Sequence, residues 1–323
     1  MRTLLIGAGA VGQVYGRHLQ AGGAEVAFYV KEKYAEACRA GMRMYPLNEG
    51  KAAVMFDGVA VHTDLVAALQ EGWDQVWLCV STTALMGDWL EQVADRLGGA
   101  TLVALQPGVT AVERIEALFP EARVVWGGIS MISYQTPLEG VEDREEGVAY
   151  WFPPMGPSPF WGDEEGAKAV VAALKKGGCP AKHNPKGAEQ MIFGSALLMP
   201  HLVALEGAGW SFAGLREGDW LKLATAASRE AMELISARTG YKTPAIKAVI
   251  RPFWLGALTR VAGCVVPLPI EPYLEYHFTK VGDQTRAMMR AYFEIGREQG
   301  RPTPALAALV EKASLDGLQV PTD

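Results

Sequence analysis

Three glycines near the start of the chain, Gly7, Gly9 and Gly12, stand in the spacing GxGxxG within LLIGAGAVGQVYG. That spacing suits a pyrophosphate. The first glycine permits a tight turn, the second lets backbone approach the phosphates, and the third lets helix and strand pack closely. The amides of the run Gly7, Ala8, Gly9, Ala10, Val11 and Gly12 would then face the anion at a helix start. A glycine-rich turn without a ligand can carry the same letters. Here the motif follows an apolar run and opens a helical pattern, inside a unit of about 30 residues, which is the context the motif requires.

The second apolar run chooses between cofactors. An acid at its tip would bond the ribose hydroxyls of NAD. This run ends Phe28-Tyr29-Val30-Lys31-Glu32-Lys33, so its tip carries Lys31. A cation there suits the extra phosphate of NADPH. The alternative is that Lys31 and Lys33 are solvated helix-start charges and Glu32 does the acid's work.

Other polar residues sit where chemistry would need them. Ser81 and Thr82 follow QVWLCV, at the carboxyl edge where doubly wound sheets bind ligands. They could bond a nicotinamide ribose or a substrate, or simply cap the next helix. His201 follows Pro200, and its pKa range suits proton transfer near neutrality. It lies about 80° around the helix from Met191, so it could equally be a structural histidine. EYHFTKVGDQTRAMM is dense in polar groups. Read as one helix, it sets Lys280 and Gln284 one turn apart on one face. Lys280 would be a cation, and Gln284 a partner for a carboxamide or hydroxyl. The alternative is a solvated helix start, with Asp283 and Arg286 as surface charges.

The elements that must position these residues follow from periodicity. TLLIG, EVAFYV, QVWLCVS, TLVALQ and RVVWGGISM are short apolar strands. The helical patterns AVGQVYGRHLQAGG, ALMGDWLEQVADRL and TAVERIEALF alternate with them. Such alternation predicts a parallel sheet covered on both faces. GVAYWFPP adds a peripheral strand and EEGAKAVVAALKKGG a helix. After about Lys186 only helical periodicity remains. The fold class is therefore α/β, a doubly wound Rossmann-type domain over 1–184, followed by an all-α domain for substrate binding or dimerisation over 185–323.

Composition bounds the partners. The chain has 323 residues, half of them hydrophobic, and a net charge of −6. It carries no basic stripe, which argues against a nucleic-acid partner. Cys38, Cys79, Cys179 and Cys264 show no CxxC spacing. They read as reduced thiols rather than disulfides or a metal site. Glycines interrupt the apolar start, which therefore does not read as a signal peptide. Arg251, Arg260 and three prolines interrupt VIRPFWLGALTRVAGCVVPLPI, which argues against a membrane span. The expectation is a cytoplasmic protein with a small-molecule substrate and no membrane partner. A homodimer is left open.

The chain resembles the ketopantoate reductase (2-dehydropantoate 2-reductase) family over nearly its whole length. LLIGAGAVGQVYGRHLQAGG is similar to that family's opening, LVALQPGVTAVERI to its "QNG" segment, MPHLVAL to its "NPLTAL", and GRPTPALAAL to its "GxPTPxxxxL". The resemblance implies NADPH, hydride transfer to a ketone carbon, and a lysine supplying proton and charge at the new alkoxide. Aligning MPHLVAL puts that lysine's position at Met191, and two asparagine positions at Ser195 and Met199. Ser81-Thr82-Thr83 replaces a lysine after the fourth strand. The "QNG" segment becomes Gln106-Pro107-Gly108, and the glutamate aimed at cofactor and substrate becomes Gln284.

The implied cofactor set is thus the glycine loop, Lys31, Ser81, Thr82, Gln106, Pro107 and Gln284. The candidate catalytic set is Lys280, Gln284, Ser195 and His201. Met191, Ser195 and Met199 share one helical face, which implies a ligand less anionic or more apolar than ketopantoate. Trp210 and Trp220 could line that pocket, or be plain core. The leading expectation is an NADPH-dependent oxidoreductase acting on a carbonyl or imine, with its cleft between the domains. Behind it stand an NADPH-binding sensor or partner protein without turnover and, last, ketopantoate reductase itself.

Overall fold

The computed structural model describes Met1 to Val320, apart from Lys51, Pro107, Gly108, Glu121, Glu142, Asp143 and Met155, with backbone alone for Val109 and Thr110. Two compact units emerge. One joins Met1–Pro137 to Asp143–Ala188, and the other joins Leu138–Glu142 to Glu189–Asp323.

In chain order the first unit holds β1 (Arg2–Ile6), α1 (Ala10–Ala21), β2 (Glu25–Tyr29), α2 (Glu32–Arg39), β3 (Met42–Pro46), β4 (Val54–Phe56), β5 (Ala60–His62), α3 (Leu65–Leu69), β6 (Gln75–Leu78), a 3-10 turn (Thr82–Met86), α4 (Trp89–Arg96), β7 (Thr101–Ala104), α5 (Val109–Leu118), β8 (Val124–Gly127), β9 (Ile132–Thr136), β10 (Gly147–Trp151), β11 (Ser158–Gly162), α6 (Glu164–Lys176) and β12 (Ala181–His183). Eight strands form one sheet in the order β12-β11-β8-β7-β6-β1-β2-β5. Every pair is parallel except β8 with β11. Strands β6 and β7 are buried at every residue, as apolar runs in a parallel sheet must be. This is the doubly wound sheet that the strand–helix alternation predicts.

A second sheet, β4-β3-β10-β9, has four strands. The sequence reading missed all of it but β10, which is no peripheral strand. β3 pairs in parallel with β10, about a hundred residues away. Its sequence MRMYP carries no β-branched residue, so it gives no local strand signal. Helix α1 lies between the two sheets. A Cβ on Gly16 would stand 2.7 Å from the Phe28 ring of the first sheet and 3.2 Å from the Phe56 ring of the second. Only glycine lets the helix sit that close to both.

Local signals set the helix ends. Asp163 caps α6 by accepting from the Gly166 amide at 2.7 Å. Glu164 and Glu165 occupy its first turn and Lys175 and Lys176 its last, which matches the helix dipole. The expected helix over ALMGDWLEQVADRL is instead two pieces, the 3-10 turn and α4, separated at Gly87. A Cβ on Gly87 would lie 2.9 Å from the Trp89 ring, so the chain folds back tightly there.

The second unit contains α7 (Gly187–Gly207), whose first two residues belong to the first unit, then α8 (Phe212–Arg216), α9 (Trp220–Thr239), α10 (Ile246–Val249), α11 (Pro252–Val265), α12 (Ile270–Lys280), α13 (Gly282–Glu298) and α14 (Pro304–Ala313). Among the described residues no strand follows β12. Ala231, Met232 and Ile235 of α9 pack with Met289 and Phe293 of α13 and Leu306 and Leu309 of α14. Glu230 ties α9 to α14, accepting from the backbone amides of Ala305 at 3.2 Å and Leu306 at 2.8 Å. Burial raises its pKa, partly offset by those bonds.

Candidate dinucleotide site

The chain runs outward in two directions from β1, through β2 and β5 on one side and β6, β7 and β8 on the other. The β1/β6 junction is therefore the topological switch point, outside whose carboxyl ends such sheets bind ligands. The strand ends are in register there, with Ile6 beside Tyr29 and Leu78, and Leu78 beside Ala104. The segments after these four strands begin at Gly7, Val30, Cys79 and Leu105. The fold thus brings the glycine loop, Lys31, Ser81 and Gln106 to one edge.

The glycines do different work. Gly7 has φ +106, a conformation that L side chains rarely adopt, and a Cβ on it would lie 2.8 Å from the Cys79 carbonyl oxygen. A Cβ on Gly12 would lie 2.2 Å from the Gly7 carbonyl oxygen. The fold itself requires both. Gly9 is another matter. Its φ of −70 and ψ of 179 suit any residue, and a Cβ on it would meet nothing within 4 Å. Neither backbone nor packing asks for glycine there.

Gly9 stands at the N-terminus of α1, which has no capping side chain and no acid in its first turn. The positive end of the helix dipole is left for an outside anion. A side chain at Gly9 would fill the space through which phosphate oxygens reach those amides, so the loop fits a dinucleotide. Ala8, Ala10 and Val11 pack partly against the core. Gln13, which the sequence reading passed over, donates to the Ala8 carbonyl at 2.8 Å and braces the loop. Its signal was a carboxamide in an otherwise apolar first turn.

Lys31 is exposed and caps α2 through its backbone, just past the point where the Val30 amide donates to the His62 carbonyl. Lys33 follows with its ammonium 4.8 Å from the exposed Tyr34 ring. Two cations and an aromatic face thus stand beside the tip of β2.

Two expected cofactor contacts have local duties. Ser81 caps the 3-10 turn, its Oγ accepting from the Ala84 amide at 3.4 Å and lying 3.0 Å from Thr83 Oγ1. Thr82 is half-buried in that turn. Arg114 holds the same turn, donating to Leu85 O at 2.7 Å and pairing with Glu91 at 2.9 Å. Gln106 is buried. Its Nε2 donates to the carbonyls of Leu78 at 2.8 Å and Val80 at 2.5 Å, and its Oε1 accepts from the Leu105 amide at 3.1 Å. This side chain braces the ends of β6 and β7. Pro107 lies outside the described residues.

The helical unit redistributes the catalytic candidates. Met199 is buried in the core, while Met191 and Ser195 are half-buried. Trp210 and Trp220 also pack on that core, with the Lys312 ammonium 4.5 Å from the Trp220 ring. His201 Nδ1 sits 2.8 Å from the Leu197 carbonyl and 3.1 Å from Ser228 Oγ. Pro200 has no amide to donate to the Ala196 carbonyl at this turn of α7, and His201 Nδ1 and Ser228 Oγ both meet the next carbonyl, that of Leu197. Burial lowers the His201 pKa. The imidazole is engaged inside the helical unit.

Lys280 and Gln284 are not on one helix. Lys280 ends α12, and α13 begins at Gly282 after a break at Val281. Gly282 is buried, and a Cβ on it would lie 3.1 Å from Arg286 Nη1. Lys280 is exposed, its ammonium 5.8 Å from the Tyr276 ring, and Gln284 is half-buried. Arg286 is no surface charge. Its Nη2 and Nη1 donate to the two Glu206 carboxylate oxygens at 2.6 and 3.2 Å, and Nε donates to Asp316 O at 2.8 Å.

Comparison with known proteins agrees with this architecture. No curated protein matches the sequence. Residues 3–155 match the family model described as ketopantoate reductase PanE/ApbA. Among solved structures, the PanE/ApbA family ketopantoate reductase from Ralstonia eutropha JMP134 is similar at a TM-score of 0.72 and 19% identity, covering 98% of each chain. The 2-dehydropantoate 2-reductase from Geobacter metallireducens GS-15 gives 0.67 at 17% identity, covering 97% of this chain and 99% of that one. D-mandelate dehydrogenase with NADH and anilino(oxo)acetate gives 0.71 at 14% identity, covering 97% of each. Residues 3–155 thus match the ketopantoate reductase PanE/ApbA family model, and along its length the chain has the fold of those reductases.

Proposed function

We propose that this protein is a cytoplasmic NADPH-dependent oxidoreductase that reduces a carbonyl or imine of a small substrate less anionic than ketopantoate. The observation that carries the cofactor reading is Gly9. It is a glycine that neither packing nor backbone demands, at an uncapped helix start on the switch point of the sheet. Lys31 and Lys33 favour the phosphorylated nicotinamide cofactor, since each offers a cation at the tip where an NAD site would carry an acid. When bound, NADPH would supply the hydride. The chain's own part is to hold the pyrophosphate on the α1 amides, to balance the additional phosphate with Lys31, and to deliver a proton to the reduced substrate.

Met191 stands where the resemblance puts the proton donor, and methionine has no proton to give. His201 is engaged within the helical core. Lys280 is the exposed cation we retain as the candidate donor. Met191, half-buried where the resemblance puts a lysine, supports a substrate with less negative charge. The commitment of His201 also favours a second reading, an NADPH-binding protein without turnover.

One experiment separates the readings. NADPH and NADH binding is followed by nucleotide fluorescence, and NADPH oxidation is followed on the same sample against 2-oxo acids, apolar ketones and cyclic imines. Turnover of a substrate other than ketopantoate supports the enzyme. Tight binding with no turnover across the panel supports the sensor. Efficient ketopantoate reduction would overturn the substrate assignment, and failure to bind NADPH would overturn both readings.

A further inference from the structure

A concave site in the first unit uses none of the residues around the glycine loop. It is a cavity of about 410 Å³, within the range of about 300–1,000 Å³ for small-molecule sites. Its wall comes from three stretches of chain: the end of β3 with the turn after it, the end of β10 with the loop to β11, and the loop between α6 and β12.

Pro46, Pro153, Pro154, Pro157 and Pro180 are part of that wall. Proline fixes its own φ, so the wall is rigid before any ligand arrives. Proline also brings no N–H. The other amides of the wall are largely engaged. Glu49 donates to Pro46 O at 2.9 Å, Gly156 to Pro153 O at 3.1 Å and Gly178 to Lys175 O at 3.0 Å. Phe152 donates to Asn48 Oδ1 at 2.8 Å, and Asn48 Nδ2 donates back to the Phe152 carbonyl at 2.9 Å. The wall therefore offers a ligand acceptors and apolar surface, and hardly a donor.

Glu49 adds charge. It is the one charged side chain of the lining. It is exposed, and its carboxylate has no hydrogen-bond or ion-pair partner among the described residues. Two residues of α1 outside the lining hold the aromatic rings. Arg17 Nη1 donates to Tyr150 Oη at 2.6 Å. The buried His18 ring stands 5.7 Å from the Tyr150 ring and 5.3 Å from the Phe152 ring, edge to face with both. His18 is nine residues along α1 from Gly9, about 14 Å at the helical rise. The rings are thus anchored at the other end of α1 from the glycine loop.

A rigid, apolar, acceptor-rich wall with one unpaired carboxylate selects a cation that carries its own N–H groups. We propose that this cavity binds a small organic ammonium compound, its nitrogen on the Glu49 carboxylate and its hydrocarbon part against Phe152 and the prolines. An anion would meet Glu49 with few donors to offset the repulsion. A neutral alcohol would leave the carboxylate without its counter-charge. The inference is independent of the cofactor reading.

Calorimetric titration and ligand-detected NMR on the full chain test it, with phenethylammonium chloride as the probe. The probe is expected to bind with millimolar affinity or better, and the affinity should fall as salt rises. Neutral phenethyl alcohol should bind about fivefold more weakly, the order of one partly exposed ion pair, and phenylacetate should not bind detectably. Glu49→Gln should bring the amine down to the affinity of the alcohol and leave NADPH binding and the thermal melt as in wild type. Gly156→Leu should exclude amine and alcohol alike. Gly156 is outside the left-handed region, and a Cβ on it would meet only Pro153, at 3.4 Å, so the backbone accepts the change. Absence of amine binding overturns the proposal, as does equal binding of amine and alcohol. Amine binding that survives either variant unchanged overturns it as well.

Discussion

The Gly7 carbonyl oxygen lies 2.2 Å from where a Cβ on Gly12 would stand, while a Cβ on Gly9, between them in sequence, would touch nothing. The motif therefore divides into two glycines that serve the fold and one that serves a ligand. Gly12→Ala should lower stability by about 1–3 kcal/mol, since helix and strand must move apart. Gly9→Ala should leave the unfolding midpoint within about 0.5 kcal/mol of wild type and weaken NADPH binding tenfold or more. Chemical denaturation and nucleotide fluorescence on the two variants would check both halves. Unchanged NADPH affinity in Gly9→Ala would remove the main support for the cofactor site.

Lys31 supplies the second contrast. Lys31→Ala should weaken NADPH roughly tenfold, the order expected of one lost charge-assisted contact, and leave NADH affinity within about twofold. Titration with both nucleotides at low and moderate salt reads this directly, because a contact with the extra phosphate should fade as salt rises. Equal losses for the two nucleotides would place Lys31 elsewhere than on that phosphate.

Buried His18 and half-buried His201 make stability depend on pH. His18 is buried, with Nδ1 2.7 Å from the Gly177 carbonyl. Burial lowers its pKa and that of His201. In the unfolded chain both titrate near about 6.5. As pH falls through that value the unfolded state takes up protons that the native state refuses, so folding weakens toward acid. Their contribution is complete above about pH 6.5 and is lost between there and their lower native values. Urea midpoints taken from pH 7.5 down to about pH 5 should fall, and the slope should be shallower in His18→Asn, which keeps a donor for Gly177. A parallel slope in that variant would exclude His18 as a source.

The Arg286–Glu206 pair ties the end of α7 to the start of α13. Both side chains retain some solvent, 15% and 19%, so the pair should contribute less than a fully buried one. Glu206→Gln and Arg286→Met should each destabilise by about 1–2 kcal/mol, below the 3–5 expected for breaking a fully buried pair. The double variant should lose less than the sum of the two. Strict additivity in a denaturation cycle would show that the contact carries no coupling.

Much of this architecture was legible in the chain. TLLI, QVWL and TLVA are strands because a fully buried parallel strand must be apolar throughout, and that is a local property. The GxGxxG loop was legible because Gly7 and Gly12 meet local backbone and close-packing demands that only glycine meets, while Gly9 leaves the helix start open. The second sheet was not, since MRMYP carries no β-branched residue and one of its two partners, β10, lies about a hundred residues away. Nor was the fate of the polar candidates. Gln106 looked available from its neighbours in sequence, yet the carbonyls it bonds come from Leu78 and Val80, more than twenty residues earlier. His201 had the chemistry of a proton donor until Leu197 and Ser228 closed around it.

The sequence by itself determined the alternation of β1, β2, β6, β7 and β8 with helices, the glycine loop and the cation at the tip of β2. Each of these rests on hydrophobic period or backbone freedom within a few residues. Only the tertiary structure decided which polar side chains are bound internally, where the helix near Lys280 breaks, and that prolines from three stretches of chain line one cavity. Those outcomes depend on what the rest of the chain brings to the same place.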